Sequence, residues 1–388
     1  MKHKFLKISS LALLLCVPAC EKNEQNTLKS ESQTSDRKSK QTKVSNISNK
    51  ITTYGWKKFK KSDYDFEYRD YNTVLHGISR KNFTSLDTFV ESFDEEYPSG
   101  NTKRSTFYHI FREYDSINNV DPQKWFPTYV ANLKEWQKSG NHPKVATIAL
   151  AHFYINIAWY YRGNGYADSV SEQSWQKFHS YIQKAQEEID GSKLDLSTDP
   201  QYFLMKILLD RASDSNMEST LSIFKEGQQK FPNYLPLYEE IDNYLQPRWH
   251  GKSEKQWHEF LQSSLTEAKI SDTQKKIIYS AIVRPNLRLL SKEFDINDIC
   301  NYFSIDQIDY LKGLELRCEI YSDSTNHADD FLYNAYALKD ENATMRALEL
   351  TKGCYNSQRW KKHTWFNHLD KIMAVFPRTK TLIRLDQN

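Results

Sequence analysis

Residues 199–245 read DPQYFLMKILLDRASDSNMESTLSIFKEGQQKFPNYLPLYEEIDNYL, and this stretch decides the fold class. Asp199-Pro200 is a helix start: an acidic N-cap followed by proline at the first helical position, where its missing N–H costs nothing. Tyr202, Phe203, Met205, Leu208 and Leu209 are then apolar on more than one side, the pattern of a helix enclosed by neighbours. A second helix containing Leu221, Phe224 and Lys225 stops at Phe231-Pro232, and a third runs over 235–245. The unit is helix, proline corner, helix, with no alternating strand pattern and no Asn-Gly or Asp-Gly hairpin between strands.

Outward from this unit the same signals recur. Asp121-Pro122 and His142-Pro143 mark further starts, and Asp121 and Ser171 are suitable N-caps. After Ser171, the positions Trp175, Phe178, Ile182, Ala185 and Ile189 follow helical spacing up to a stop at Asp190-Gly191. Helices are expected near 83–97, 104–118, 123–138, 144–161, 254–268, 273–283, 305–321, 328–338, 342–353 and 359–375. The expected fold is all-α with about fifteen helices and no substantial sheet. Pro200 and Pro232 are 32 residues apart, close to the repeat of about 34 in tetratricopeptide arrays. Ala337-Leu338-Lys339-Asp340 and Ala347-Leu348-Glu349-Leu350 echo a similar unit. No stretch carries the full consensus, so the expectation is a degenerate tetratricopeptide-like helical-hairpin array, an α-solenoid. A globular helical domain without superhelix is the alternative.

The first fifty residues differ in composition from the rest. Lys2, Lys4 and Lys7 precede an apolar stretch from Ile8 to Val17, about ten residues and too short to span a bilayer. Val17-Pro18-Ala19-Cys20 resembles a bacterial lipobox, although Pro18 departs from the usual small or hydroxyl residue. The resemblance implies that 1–19 is a lipoprotein signal peptide, cleaved before Cys20, and that Cys20 carries lipid; an ordinary signal peptide cut nearby is the alternative. Several acyl chains give stable membrane anchoring, well beyond the hold of one. Glu21 stands where an Asp would signal inner-membrane retention, so the expected address is the outer membrane. Residues 21–50 hold six Ser, three Thr, four Asn and three Gln and no aromatic residue. With Cys20 they are expected to form a polar linker reaching roughly 30 Å. Residues 51–270 are then a helical-hairpin domain and 271–388 are C-terminal helical repeats packed on it.

The formal charge of +3 is located at the start of the chain. Residues 1–19 carry +3 and 21–50 carry a further +3, which leaves 51–388 near −3. Nothing there makes the electrostatic footprint of a nucleic-acid binder.

Residues 158–170, Ala-Trp-Tyr-Tyr-Arg-Gly-Asn-Gly-Tyr-Ala-Asp-Ser-Val, and 245–253, Leu-Gln-Pro-Arg-Trp-His-Gly-Lys-Ser, stand out as motifs. Together with Phe231-Pro232 and Leu237-Tyr238, they resemble an uncharacterised family of bacterial proteins with a tetratricopeptide-like domain of unknown function. The resemblance covers roughly residues 70–270. It implies a fold and no activity. Lys252, between Gly251 and Ser253, reads as an insertion relative to the family's pattern.

Arg162-Gly163-Asn164-Gly165 lacks the preceding strand and the Lys-Ser/Thr pair of a phosphate loop, so its glycines read as a helix stop. Arg162 and Arg248 each follow a helix and precede a glycine. Successive helix ends of an array line one edge, so Arg162, Tyr166, Arg248 and Trp249 form the candidate contact surface; the alternative is that each Arg caps its own corner. His258-Glu259 lacks the second His of a zinc-protease helix, and no metal or cofactor is expected. Cys300, Cys318 and Cys354 have no CxxC spacing and read as small buried hydrophobes, with one disulfide as the alternative. The expected function is a lipid-anchored, non-catalytic interaction scaffold with a protein partner. The alternative is a glycan-binding or glycan-cleaving envelope protein, which paired carboxylates in a tyrosine-lined cleft would favour.

Overall fold

The computed structural model describes residues 57–58, 65–95, 102–112, 122–163, 167–213, 215–290, 294–321, 325–350 and 354–355. The signal peptide, Cys20, the linker, the Asp121 cap, Tyr166 and the helix expected at 359–375 lie outside them. Fifteen α-helices make up nearly all of what is described. In order they are α1 (Asp65–Ser79), α2 (Phe83–Glu91), α3 (Lys103–Arg112), α4 (Pro122–Ser139), α5 (Pro143–Arg162), α6 (Glu172–Asp190), α7 (Pro200–Arg211) and α8 (Met217–Lys230). Then come α9 (Leu235–Tyr244), α10 (Gln256–Glu267), α11 (Asp272–Leu290), α12 (Ile296–Phe303), α13 (Gln307–Ile320), α14 (Thr325–Ala337) and α15 (Glu341–Leu350). The exception is a two-residue parallel pairing of β1 (Lys57–Lys58) with β2 (Cys354–Tyr355). The fold is all-α and solenoid-like, as expected.

Local chemistry starts these helices where the sequence places the signals. Pro122, Pro143 and Pro200 open α4, α5 and α7. The Asp199 carboxylate accepts the Gln201 amide and the Ser171 hydroxyl accepts the Ser174 amide, each satisfying one orphan donor of the first turn. α8 ends at Lys230, just ahead of Phe231-Pro232. Gly163 closes α5 with φ +72°, a region that side chains with a Cβ rarely adopt.

Several boundaries depart from expectation, and α2 ends at Glu91, where the Ser92 amide bonds back to the Phe89 and Val90 carbonyls, and not near 97. α1 and α12 lie where no helix was expected. α1 is rich in aromatic and β-branched residues, which weakens its propensity signal, and α12 is only eight residues long. α11 does not stop near 283; it continues through Pro285 to Leu290. Proline removes one hydrogen bond and strains the preceding turn. Here packing on both sides offsets that loss, because Ile282, Val283 and Leu287 around it are buried.

Helix order in space follows an alternating rule. The odd-numbered helices form a continuous row, in which α3 contacts α5, α5 contacts α7, α7 contacts α9, α9 contacts α11, α11 contacts α13 and α13 contacts α15. The even-numbered helices pack on that row: α4 and α6 on α5, α8 on α7, α10 on α9 and α11, α12 on α11, and α14 on α13. The row runs across residue 270 through the α9–α11 contact. This is the arrangement of stacked hairpins, in which each unit buries its apolar face against the next.

The core sits along this row. In α5 every residue from Val145 to Ala158 is buried, so that helix is enclosed on all sides, and the α7 residues Phe203, Met205, Leu208 and Leu209 are buried as expected. The α11–α13 crossing depends on Gly313. A Cβ there would lie 2.1 Å from the Lys276 carbonyl oxygen and 2.7 Å from the Ser280 Cβ, so only glycine permits this approach. Aromatic residues fill the N-terminal half of the core, where Phe107 meets Phe89, Phe93, Tyr108, Phe111 and Trp136 at centroid distances of 5.1–6.1 Å. Aromatic residues are 14% of the sequence, and many of them thus fill the core. Cys300 and Cys318 are buried free thiols, both pushed up to about 12 by burial, and behave as small hydrophobes.

Candidate functional site

A groove of about 470 Å³ crosses the odd-numbered row, lined by residues of α3, α7, α9, α11 and the end of α13. Its chemistry begins with Asp199, the same residue that caps α7. One carboxylate oxygen accepts the Gln201 amide at 2.9 Å. The other accepts Arg104 Nη1 at 2.6 Å and the Tyr108 hydroxyl at 3.3 Å. Burial raises the Asp199 pKa, while the Arg104 charge, the Gln201 amide and the Tyr108 hydroxyl pull it back. From Gln201 the network continues to His152 Nε2 at 3.1 Å and, by amide donation, to the Tyr234 hydroxyl. Burial holds the Tyr108 and Tyr234 hydroxyls well above the usual phenol range, so both stay neutral. Fixed dipoles thus sit at the groove wall, beside the aliphatic side chains of Leu204, Ile277, Ile278 and Ile320.

Further along, α9 presents Glu239 and Asp242 one turn apart on one face. Glu239 lines the groove and is exposed. Asp242 is half-buried, accepts Asn286 Nδ2 at 3.2 Å, and is pushed up to about 7 mainly by burial. Across from them, Arg284 of α11 pairs with Asp330 of α14. Arg317 of α13 feels Arg284, Asp330, Glu239 and Tyr321, and burial together with the like charge of Arg284 lowers its pKa. Sequence reading missed these groups. Arg284 lies beyond the expected end of its helix, and Arg317 lies in a helix whose apolar residues do not gather on one face.

The candidate surface drawn from the two motifs lies at another place. The Arg162 guanidinium sits 5.4 Å from the Trp159 ring and 5.3 Å from the Trp175 ring, and Nη1 donates to the Gly163 carbonyl at 3.0 Å. Trp249 meets Trp159 edge-on at 5.6 Å, and Arg211 lies over the Trp249 ring at 5.3 Å. Arg211 in turn pairs with buried Glu240 at 3.2 Å. Arg162 and Trp249 therefore share Trp159 as a neighbour. Arg248 is half-buried, and its charge acts on Asp242. Tyr166 lies outside the described residues. His258 is buried, makes a 2.9 Å hydrogen bond to the Tyr279 hydroxyl, and is pushed down to about 4 by burial.

Among the described residues no group of three or more His, Cys, Asp or Glu is placed to hold a metal ion, and no helix is long and apolar enough to cross a membrane. No protein-family model matches this chain, and no curated protein or solved structure matches it.

Proposed function

We propose that this protein is a non-catalytic interaction scaffold of the bacterial cell envelope. It is tethered by lipid on Cys20, and its groove across the odd-numbered helices holds a protein partner. The observation that carries this reading is the groove itself. Five helices separated in sequence contribute to it, and its walls combine aliphatic side chains with fixed polar groups, the mixture found in binding sites generally. The lipobox resemblance supports the tether, and Glu21 supports the outer membrane.

Two measurements test it. A photo-crosslinking residue at Gln274, in the groove, should capture one discrete protein in the native envelope, while the same residue at Lys184, on α6 outside it, should not. Equal or absent capture at both positions refutes the groove. Labelled palmitate should enter the wild-type chain and be lost in Cys20→Ser; incorporation into that variant refutes the anchor.

One observation favours a glycan-directed reading. Glu239 lines a groove also lined by Tyr108, Tyr234 and Tyr321, and Asp242, one turn further along α9, has a raised pKa that suits a proton donor. Release of soluble fragments from purified cell wall, abolished by Asp242→Asn, would establish it; no release discards it.

A further inference from the structure

Beside one end of the groove, Arg317, Arg284 and Tyr310 form a cluster of buried polar groups. Arg317 Nη1 is shielded from solvent and has no hydrogen-bond partner among the described residues. The same holds for Arg284 Nε, although Nη1 of that residue is paired with Asp330. The buried Tyr310 hydroxyl, within electrostatic reach of Arg284 and Asp330, is also unbonded. An unbonded buried donor is costly and rare in a folded chain. Three in one cluster, two of them guanidinium nitrogens, call for an acceptor that arrives from outside.

The cluster adjoins the groove. Arg317 is one turn before Ile320, the last residue of α13, and Tyr321, which follows it, and both of those line the groove. Glu239, which also lines it, is an electrostatic neighbour of both arginines. Arg284 is already matched by Asp330. Glu239 is exposed, so water screens its effect on Arg317.

The geometry points to a carboxylate-binding subsite at Arg317 and Arg284, which anchors an acidic peptide lying in the groove. This rests on the scaffold reading and names its partner's chemistry. A guanidinium fork matches a planar carboxylate. A single negative charge suits the site better than a doubly charged phosphate, because Asp330 and Glu239 stand close by. The rest of the groove selects a peptide. The aliphatic wall of Leu204, Ile277, Ile278 and Ile320 takes an apolar side chain, and Asn233 and Gln274 add polar amide residues to the same lining. The bound segment therefore carries an aliphatic residue and, a few positions away, a carboxylate from Asp, Glu or the chain end.

The test uses a random hexapeptide library made in two forms, with free and with amidated C-termini, and the purified full-length protein. Peptides selected by the protein should be enriched in Asp or Glu in both forms if a side chain is bound, or recovered only from the free-end form if the chain end is bound. Exchanging the acid for its amide in the best peptide should weaken binding by fluorescence anisotropy tenfold or more. That arm needs no protein variant. Arg317→Gln should cause a similar loss with an unchanged melting profile, and Arg317→Lys should recover part of it. Selected peptides without acids, or an acid-to-amide exchange without effect, overturn the subsite and leave the scaffold reading standing. Failure to select any peptide overturns both.

Discussion

Replacing Asp199 by alanine removes three interactions with one carboxylate. Losing the N-cap of α7 costs about 1 kcal/mol. Leaving the Arg104 guanidinium unpaired costs about 2–3 kcal/mol, less than the ~3–5 kcal/mol of a fully buried pair, because Arg104 keeps 22% of its side-chain exposure and Asp94 stands 3.5 Å away. The buried Tyr108 hydroxyl loses its acceptor for about 1 kcal/mol. The three share one group and are not additive, so the expected total is about 4 kcal/mol. Asp199→Asn keeps an oxygen for the cap and loses the charge, for about 2 kcal/mol. Urea unfolding followed by far-ultraviolet circular dichroism reads both values. Adding Arg104→Met to Asp199→Ala should recover part of the loss, since the unpaired charge is then gone. An asparagine variant as stable as the wild type, or no recovery in the double variant, would show that the ion pair does not hold the groove wall.

Acid should weaken the fold through His258. Its folded pKa lies near 4, below the usual 6.5, so the unfolded chain takes up a proton that the folded chain refuses. The associated stability is present above pH 6.5 and is lost as pH falls toward 4, by roughly 3 kcal/mol; urea midpoints measured from neutral to acid pH should fall less in His258→Gln, and parallel curves would refute this. Gly313→Ala should cost about 2–3 kcal/mol in the same unfolding assay by forcing α11 and α13 apart, and a loss within error would mean that the crossing is looser than described. Arg162→Ala and Trp249→Ala share Trp159, so their double-mutant cycle should show coupling of about 0.5–1 kcal/mol. Strict additivity would mean that each packs its corner alone.

The all-α class was readable because its signals are local. A proline at a first helical turn, an Asp or Ser cap and a Phe-Pro stop act within a few residues, and α4, α5, α6, α7 and α8 begin or end where those residues stand. The hairpin order followed too, since short connections bring neighbouring helices together. α11 shows the limit of local reading: Pro285 is a stop signal taken alone, but burial of Ile282, Val283 and Leu287 keeps the helix going. The groove belongs to longer range. Asp199 reads as a cap; its service to Arg104 and Tyr108, more than ninety residues earlier, comes from stacking α7 near α3. Glu239, Arg284 and Arg317 carry no shared spacing, because three odd-numbered helices that are apart in the chain bring them to one place. Helix formation depends on side chains within a turn of one another. Which faces of the row converge depends on crossings such as that at Gly313, and those are set by packing across the whole array.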